Sequence, residues 1–427
     1  MIFKNPSQYD LFKSRRQKLL RSIMDEHKTD KGVVLISAGF ETDRYVFRQE
    51  SSFYYLTGLT EPAIILCMFL DGREVLYMPR FGISRHQWME VNLSGPEDAG
   101  RLNVDEVRFL GSPVPSYSFA PVFTKEKYEN FLHDLSSQLD EKTKVFTVLD
   151  SNPDNFMQVN LYESLQRWLP SLQTKTIDIS EQIGAARRIK DEYEIDLIYR
   201  AIQITNMAHS TAATFIKSGV TEYEVQAAIE YVFTNVAAAR PAFPSIVATG
   251  KNTTILHYVE RNQELKDGDL VVIDIGAEYG FYAADITRTY PVNGKFTDRQ
   301  KEVYQVVLDT QTYIESIAMP GMYLRNKDYP EKSLQHLTIK FLEKAGYAQY
   351  FCHGIGHYLG LDVHDVGDYT IPLQPGDVFT IEPGVYISEE NLGIRIEDDY
   401  IMADDGAVCL SYQLPKEIDD IEKMMER

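Results

Sequence analysis

Cysteine is scarce in this chain, and the three present, Cys67, Cys352 and Cys409, are scattered without a Cys-x-x-Cys pair. That spacing excludes a zinc ribbon and a dithiol redox centre. Cys352 adjoins His353 but follows the apolar Phe351, so it reads as a packed thiol rather than a nucleophile. Basic residues are few as well: 43 Lys and Arg stand against 63 Asp and Glu, a formal net charge of −20. No basic stripe is available to neutralise phosphates, so nucleic acid is not an expected partner. Acidic runs such as Glu417 to Glu422 read as a solvated helix face. Long apolar runs are missing too. The longest clean one, Ala63 to Leu70, is far too short to cross a bilayer, and Met1 to Asp10 lack the apolar core of an export signal. The expectation is a cytoplasmic chain without a membrane partner. Nor is there a phosphate loop, because Thr249-Gly250-Lys251-Asn252 has Ser245 in place of the first required glycine and Asn252 in place of Ser or Thr.

What the chain does have is one motif written twice. Gly268-Asp269-Leu270-Val271-Val272-Ile273-Asp274-Ile275-Gly276 returns as Gly376-Asp377-Val378-Phe379-Thr380-Ile381-Glu382-Pro383-Gly384. Each copy leads to a second acid, Asp285 after the first and Glu397 after the second. The first acid of each pair ends an apolar, β-branched run that reads as a buried strand. Buried carboxylates persist when hydrogen-bonded, ion-paired or bound to metal. Arg288 and Arg395 could neutralise two of the four, which leaves a salt-bridged cluster as the alternative to a two-metal site.

The segment between the copies, His353-Gly354-Ile355-Gly356-His357-Tyr358-Leu359-Gly360-Leu361-Asp362-Val363-His364-Asp365, holds three of the nine histidines of the chain. Imidazole is a common metal ligand and the side chain best suited to proton transfer near neutral pH, and the glycines let backbone pass close to an ion or substrate. Oxygen-rich ligation with a single imidazole suits manganese, cobalt or zinc and is unlike the thiolate sites of structural zinc.

A chain of 427 residues with 44% apolar content is ample for two cores. The amino-terminal part alternates strand-like runs (Gly32 to Ser37, Ser52 to Leu56, Ala63 to Leu70, Glu74 to Met78, Lys144 to Leu149) with polar or helical stretches such as Leu11 to Glu26. Asp71-Gly72 marks a hairpin between two of these runs. From Asp191 helical periodicity takes over to about Lys217. A second helix starts near Thr221 and the Asp274/Asp285 hairpin follows. Helices over Asp298 to Ser316 and Asp328 to Lys344 then precede the strands carrying Glu382 and Glu397. Two helices and a hairpin, twice over, form an α+β pseudo-repeat. The expected boundary gives an amino-terminal domain over 1–176 and a catalytic domain over 177–427.

Read in order, Ile255-Leu256-His257-Tyr258, the Asp274/Asp285 hairpin, the His353 to Asp365 segment, Thr380-Ile381-Glu382-Pro383-Gly384 and Gly393-Ile394-Arg395-Ile396-Glu397-Asp398 resemble the successive signatures of proline-specific metallopeptidases. These are the aminopeptidase P and prolidase enzymes, which share the pita-bread fold with methionine aminopeptidase and creatinase. The resemblance runs from about Arg44 to the end. Arg44 to Gly58 and Glu61-Pro62 resemble the smaller α/β domain that precedes the catalytic domain in this family, and methionine aminopeptidase lacks such a domain. On chemistry alone the aromatics of that stretch read as the core face of a half-buried strand.

The resemblance implies that Asp274, Asp285, His357, Glu382 and Glu397 hold two divalent metal ions, Asp285 and Glu397 bridging them. Manganese is the expected ion, with cobalt, zinc or iron as alternatives. It further implies that His257, His353 and His364 face the substrate, that Arg395 orients a carboxylate, and that Glu382 is the base serving a metal-bridging hydroxide. The implied activity is removal of the first residue from peptides with proline second. Alternatives are an Xaa-Pro dipeptidase, or a metal-free binding or creatinase-like member of the fold. The compact stretch from Gly367 to Gly376 and Thr57-Gly58 with Glu61-Pro62 favour the aminopeptidase branch. A homo-oligomer, dimer or tetramer, is expected.

Overall fold

The computed structural model describes residues 7–42, 46–83, 85–119, 123–149, 156–237 and 239–426. Arg44 and Tyr45, and Met1 to Pro6, lie outside them. The chain divides into two units, Met1–Arg187 and Arg188–Arg427.

The first unit is built on a six-stranded mixed sheet. Its strands are β1 (Gly32–Ser37), β2 (Ile65–Phe69), β3 (Glu74–Met78), β4 (Glu106–Phe109), β5 (Lys144–Thr147) and β6 (Thr176–Asp178), in the order β4-β3-β2-β1-β5-β6. β1, β2 and β3 pair antiparallel, and the outer strands β4, β5 and β6 join in parallel. The Asp71-Gly72 turn lies between β2 and β3, with Gly72 at φ +95°, the left-handed region glycine favours. Val33 and Leu35 pack on one side with Phe131, Leu132 and Leu161, and Val34 and Ile36 are buried on the other. Both faces are therefore covered, which is why the strand is apolar throughout instead of alternating.

Two features of this unit differ from the sequence expectation. Ser52 to Leu56 is not a strand but part of a buried helix, Ser51–Thr57. The Glu50 carboxylate accepts from the backbone N–H groups of Ser52 and Phe53, and Gly58 closes the other end in the left-handed conformation. Burial on every side removes the helical periodicity by which such a segment would be read. The division between units also falls later than 176/177. Thr176–Asp178 is the sixth strand of this sheet, and the helix after it, Ser180–Arg188, is tied back by Tyr55 Oη donating to the Ala186 carbonyl at 2.7 Å and by Arg187 Nη1 donating to Ser52 Oγ.

The second unit carries the pseudo-repeat. Helix Glu192–Phe215 opens with a capping box between Asp191 and Glu194, and helix Glu222–Ala237 follows. Next come β7 (Arg240–Pro241), β8 (Ile246–Thr249), β9 (Leu270–Ile275), β10 (Ala277–Tyr279), β11 (Tyr282–Ala283) and β12 (Ile286–Pro291). β9 lies between β8 and β12, and β10 between β11 and β7. Helix Asp298–Ile317, capped by Thr297 and Gln300, and helix Leu334–Ala345 begin the second half. The latter starts after the expected Asp328 because Pro330 opens a separate 3-10 turn, Pro330–Lys332. β13 (Val378–Ile381), β14 (Gly384–Ile387), β15 (Leu392–Arg395), β16 (Asp398–Ala403) and β17 (Gly406–Cys409) complete it, paired as β13-β16-β17 and β14-β15. The two copies of the motif share backbone geometry as well as residues: Gly268 and Gly376 turn into β9 and β13 at φ +84° and +91°. A bridge between Thr287 and Glu397 joins the halves, the Glu397 N–H donating to the Thr287 carbonyl at 3.1 Å.

The terminal helix Ile418–Met424 keeps most of its acidic run on a solvated face, with Glu417, Asp419 and Asp420 exposed, and departs from that reading at one position. Glu422 is buried, accepts from the Phe296 N–H and pairs with Lys295 and Lys301. Among the described residues no helix is long and apolar enough to cross a membrane.

Candidate metal centre

The centre is assembled by strand register and close glycine packing. Asp274 lies near the end of β9 with Thr287 of β12 opposite it, and Asp285 directly precedes β12. Gly276 permits this hairpin, since a β-carbon there would fall on the Ala284 carbonyl. Glu382 follows β13, and Glu397 lies between β15 and β16 at the bridge to Thr287. His357 comes from the glycine-rich segment, which runs so close along β13 that a β-carbon on Gly356 would strike the Thr380 carbonyl. The Thr380 N–H donates to the His357 carbonyl at 2.9 Å, and the His357 N–H donates to Thr380 Oγ1 at 3.2 Å.

All nine residues expected at the site, Asp274, Asp285, His357, Glu382, Glu397, His257, His353, His364 and Arg395, line one cavity of about 670 Å³. Ligand atoms of Asp285, His357 and Glu397 lie within 4.8 Å of one another. His357 Nε2 is 3.3 Å from Asp285 Oδ2 and 3.6 Å from Glu382 Oε1. The opposite ring nitrogen, Nδ1, stands 3.0 Å from the Tyr358 carbonyl, which can only accept. Nδ1 therefore carries a proton and Nε2 faces the carboxylates, the posture of a metal-ligating imidazole.

Cations account for few of these acids. Arg395 Nη2 donates to Asp274 Oδ2 at 2.6 Å, but Arg288 pairs with Asp398 at 2.7 Å, both fully buried, and not with any of the four acids it was expected to serve. Asp274 Oδ1 and Asp285 Oδ1 are buried without a hydrogen-bond partner among the described residues. Burial raises Asp285 well above the usual carboxylate range, and Asp274, Asp399 and Glu382 push it further. Burial likewise raises Glu397, with Asp285, Glu382 and Asp274 adding to it, and Glu382 is raised by the same cause. Orphaned acceptors and a surplus of mutually repelling carboxylates around one imidazole fit divalent cations and not a self-neutralised salt-bridge cluster.

His353 and His364 are held neutral. Burial, reinforced by Arg395, lowers His353 to about 4, and burial with His357 and His257 alongside lowers His364 to about 4. The His364 ring stands edge-on to His357 at 4.2 Å. The His353 Nδ1 donates to the Gly354 carbonyl at 2.8 Å, so its Nε2 accepts from Tyr386 Oη at 2.9 Å. Arg395 Nη1 donates to the same phenol at 2.9 Å, and Arg395 Nε reaches Thr287 Oγ1, which donates to Glu397 at 2.7 Å. Tyr386 and Thr287 were not singled out from the sequence. The strand pairing that brings Tyr386 beside Arg395, and the Thr287–Glu397 bridge, give them their places. Cys352, expected to be packed, is exposed, whereas the neighbouring Phe351 is buried.

The pattern of metallopeptidase family M24 matches residues 196–404, and that of the aminopeptidase P N-terminal domain matches residues 12–113. The chain is 36% identical to an Xaa-Pro aminopeptidase of Haemophilus influenzae, over 89% of each chain. It is 27% identical to the human Xaa-Pro dipeptidase, over 97% of this chain and 93% of that one. Its fold is similar to a solved structure of aminopeptidase P from E. coli with the inhibitor Pro-Leu, at a TM-score of 0.82 and 29% identity over 98% of both chains.

Proposed function

The chain belongs to metallopeptidase family M24, as a peptidase with a pita-bread catalytic domain behind a smaller aminopeptidase P-type domain, and from that premise we propose that it removes the first residue from peptides with proline second. The observation that carries this reading is the convergence of Asp274, Asp285, His357, Glu382 and Glu397 on one cavity that His257, His353 and His364 also line. These five residues would hold two divalent ions, and the oxygen-rich donor set favours manganese. When bound, the ions supply Lewis acidity toward the scissile carbonyl and a water acidic enough to react at neutral pH.

The residues of the chain itself do the positioning and move the protons. Glu382 takes the proton of the attacking water on its carboxylate. His364, neutral at pH 7, donates a hydrogen bond to the developing oxyanion, and Glu382 passes the proton it has taken to the departing proline nitrogen. His353 is locked in one tautomer by the Gly354 carbonyl and Tyr386, while Arg395 holds Asp274 and keeps one carboxylate oxygen turned inward. His257 lines the same cavity with Phe243, Ile246 and Val259, which offer apolar surface for the ring of proline. An Xaa-Pro bond is a tertiary amide with no N–H, so recognition must come from ring packing and from the free amino end. The active species is proposed to be a cytoplasmic homo-oligomer.

The test is to strip the protein of metal, titrate manganese, and assay Ala-Pro beside Ala-Pro-Ala-Ala. Manganese-dependent release of alanine from the longer peptide is expected. Cleavage confined to the dipeptide would make the enzyme an Xaa-Pro dipeptidase instead.

A further inference from the structure

Among the described arginines of the second unit, Arg188, Arg200, Arg240, Arg288, Arg299 and Arg395 each pair with a carboxylate, and Arg261 donates to the Ser245 carbonyl. Arg325 lines the site cavity, yet its guanidinium meets no carboxylate among the described residues, in a chain whose acids outnumber its bases by 20. It is nevertheless held in place. Its Cζ stands 3.9 Å over the ring of Tyr369, which packs in turn on Tyr358. The preceding Leu324 is buried, and its carbonyl accepts from the Gln335 N–H at 3.0 Å. The Gln335 side chain binds both the His353 carbonyl and the Ile355 N–H, and Arg325 Nη1 passes 3.7 Å from where a β-carbon on Gly354 would stand. The segment carrying Arg325 is thus anchored to the strand of backbone that carries His353. Its charge is felt at His364.

The cavity therefore has a polarity, with anionic side chains at its buried floor and one unpaired, prepositioned cation at its exposed rim. We propose that Arg325 receives the free C-terminal carboxylate of a short substrate, and that the preferred substrates of this enzyme are tripeptides of the form Xaa-Pro-Xaa. This rests on the proposed Xaa-Pro cleavage. A dipeptide would place its carboxylate beside the scissile bond among the buried groups, whereas a third residue carries it outward to the rim. Guanidinium matches carboxylate in planar, charge-assisted pairs, and stacking on Tyr369 reduces the freedom Arg325 loses on binding.

The experiment compares Ala-Pro-Ala with its C-terminal amide on the manganese-loaded wild type, Arg325→Gln and Arg325→Lys, and measures by calorimetry the binding of Pro-Ala and its amide to the same proteins. The expected result is a preference for the acid over the amide of about tenfold, carried by KM, as an ion pair at an exposed rim allows. That preference disappears in Arg325→Gln, survives in part in Arg325→Lys, and leaves the amide rate unchanged in all three. Pro-Ala binding weakens in parallel, and binding of its amide does not. Equal rates for acid and amide in the wild type, or an equal loss on both in Arg325→Gln, overturn the assignment. Discrimination between Pro-Ala and its amide without cleavage of any peptide would refute the proposed function and uphold the carboxylate site; absence of both would refute the two together.

Discussion

Asp285→Asn should separate the metal site from the fold that carries it. Ligand atoms of Asp285 and Glu397 are at most 4.8 Å apart. Two full charges at that distance repel by about 3.5 kcal/mol at an effective dielectric near 20. Without a cation the native state avoids this by keeping protons, in line with the raised Asp285 and Glu397. An acid whose folded pKa is raised contributes stability that is complete below its unfolded pKa, 3.8 for Asp285, and that is lost as pH rises through the folded value. Asp285 and Glu397 therefore take stability from the metal-free wild type as pH rises from acidic to mildly alkaline, a contribution opposite in sign to that of the buried histidines. Asn removes one of the repelling charges at nearly constant volume, so the metal-free variant at about pH 8 should unfold at the same temperature as the wild type or several degrees higher. Manganese reverses the order. At about a hundredfold excess over Kd it stabilises the wild type by roughly 2.7 kcal/mol, some 5–10 °C for a unit of this size, and the variant loses most of that gain together with its activity. Thermal unfolding in chelator and in manganese, at about pH 5 and pH 8, reads both effects. A metal-free Asp285→Asn protein that melts well below metal-free wild type, with its manganese shift intact, would refute the metal assignment and make Asp285 a structural acid.

Arg288→Met should destabilise the protein by about 3–5 kcal/mol in urea titrations, because it removes the closest cation from the fully buried Asp398 and leaves it Lys416 with the Ser411 and Gln311 hydrogen bonds; a loss under about 1 kcal/mol would contradict that role. His209 is fully buried between Tyr290 Oη and the Ile286 carbonyl, and burial, with Arg288 close by, lowers it from 6.5 to about 3. The unfolded chain binds this proton below about pH 6.5 and the native state does not, so stability should fall by about 1.4 kcal/mol per pH unit from there toward pH 4. His209→Gln should remove about one proton from that slope, and an unchanged slope would sink the argument. Gly276→Ala drives a β-carbon into the Ala284 carbonyl and should abolish manganese binding measured by calorimetry, even in molecules that retain helical circular dichroism.

How legible these features were depends on where their information lies. Asp274 and Glu382, two of the acids proposed to hold metal, stand out in the sequence because each depends on local chemistry: a glycine turn, a β-branched buried strand, and an acid at its end where an apolar residue would pack. The second copy repeats the statement, and the structure gives both glycines the same left-handed backbone. Tyr386 could not be read that way. Its phenol matters because β14 lies beside β15 with Gly384 opposite Arg395, which puts Tyr386 two residues along within reach of the Arg395 guanidinium, and because the glycine-rich segment brings His353 to the same point. Nothing in the local sequence distinguishes it from the other buried tyrosines. Ser51–Thr57 was unreadable for a third reason. Its aromatic residues favour strands, its cap is the less common Glu50, and burial on all sides leaves no polar face to mark a helical period. Arg325 is the complementary case, legible neither as motif nor as periodicity, because what marks it is that it meets no carboxylate among the described residues. A site written in local chemistry repeats and can be found in the sequence, whereas the groups that tune it and choose its substrate come from tertiary juxtaposition. Changes at Tyr386 or Arg325 should therefore alter specificity and proton handling while the five ligands continue to bind metal, which metal analysis of Tyr386→Phe and Arg325→Gln proteins beside their peptide kinetics would establish.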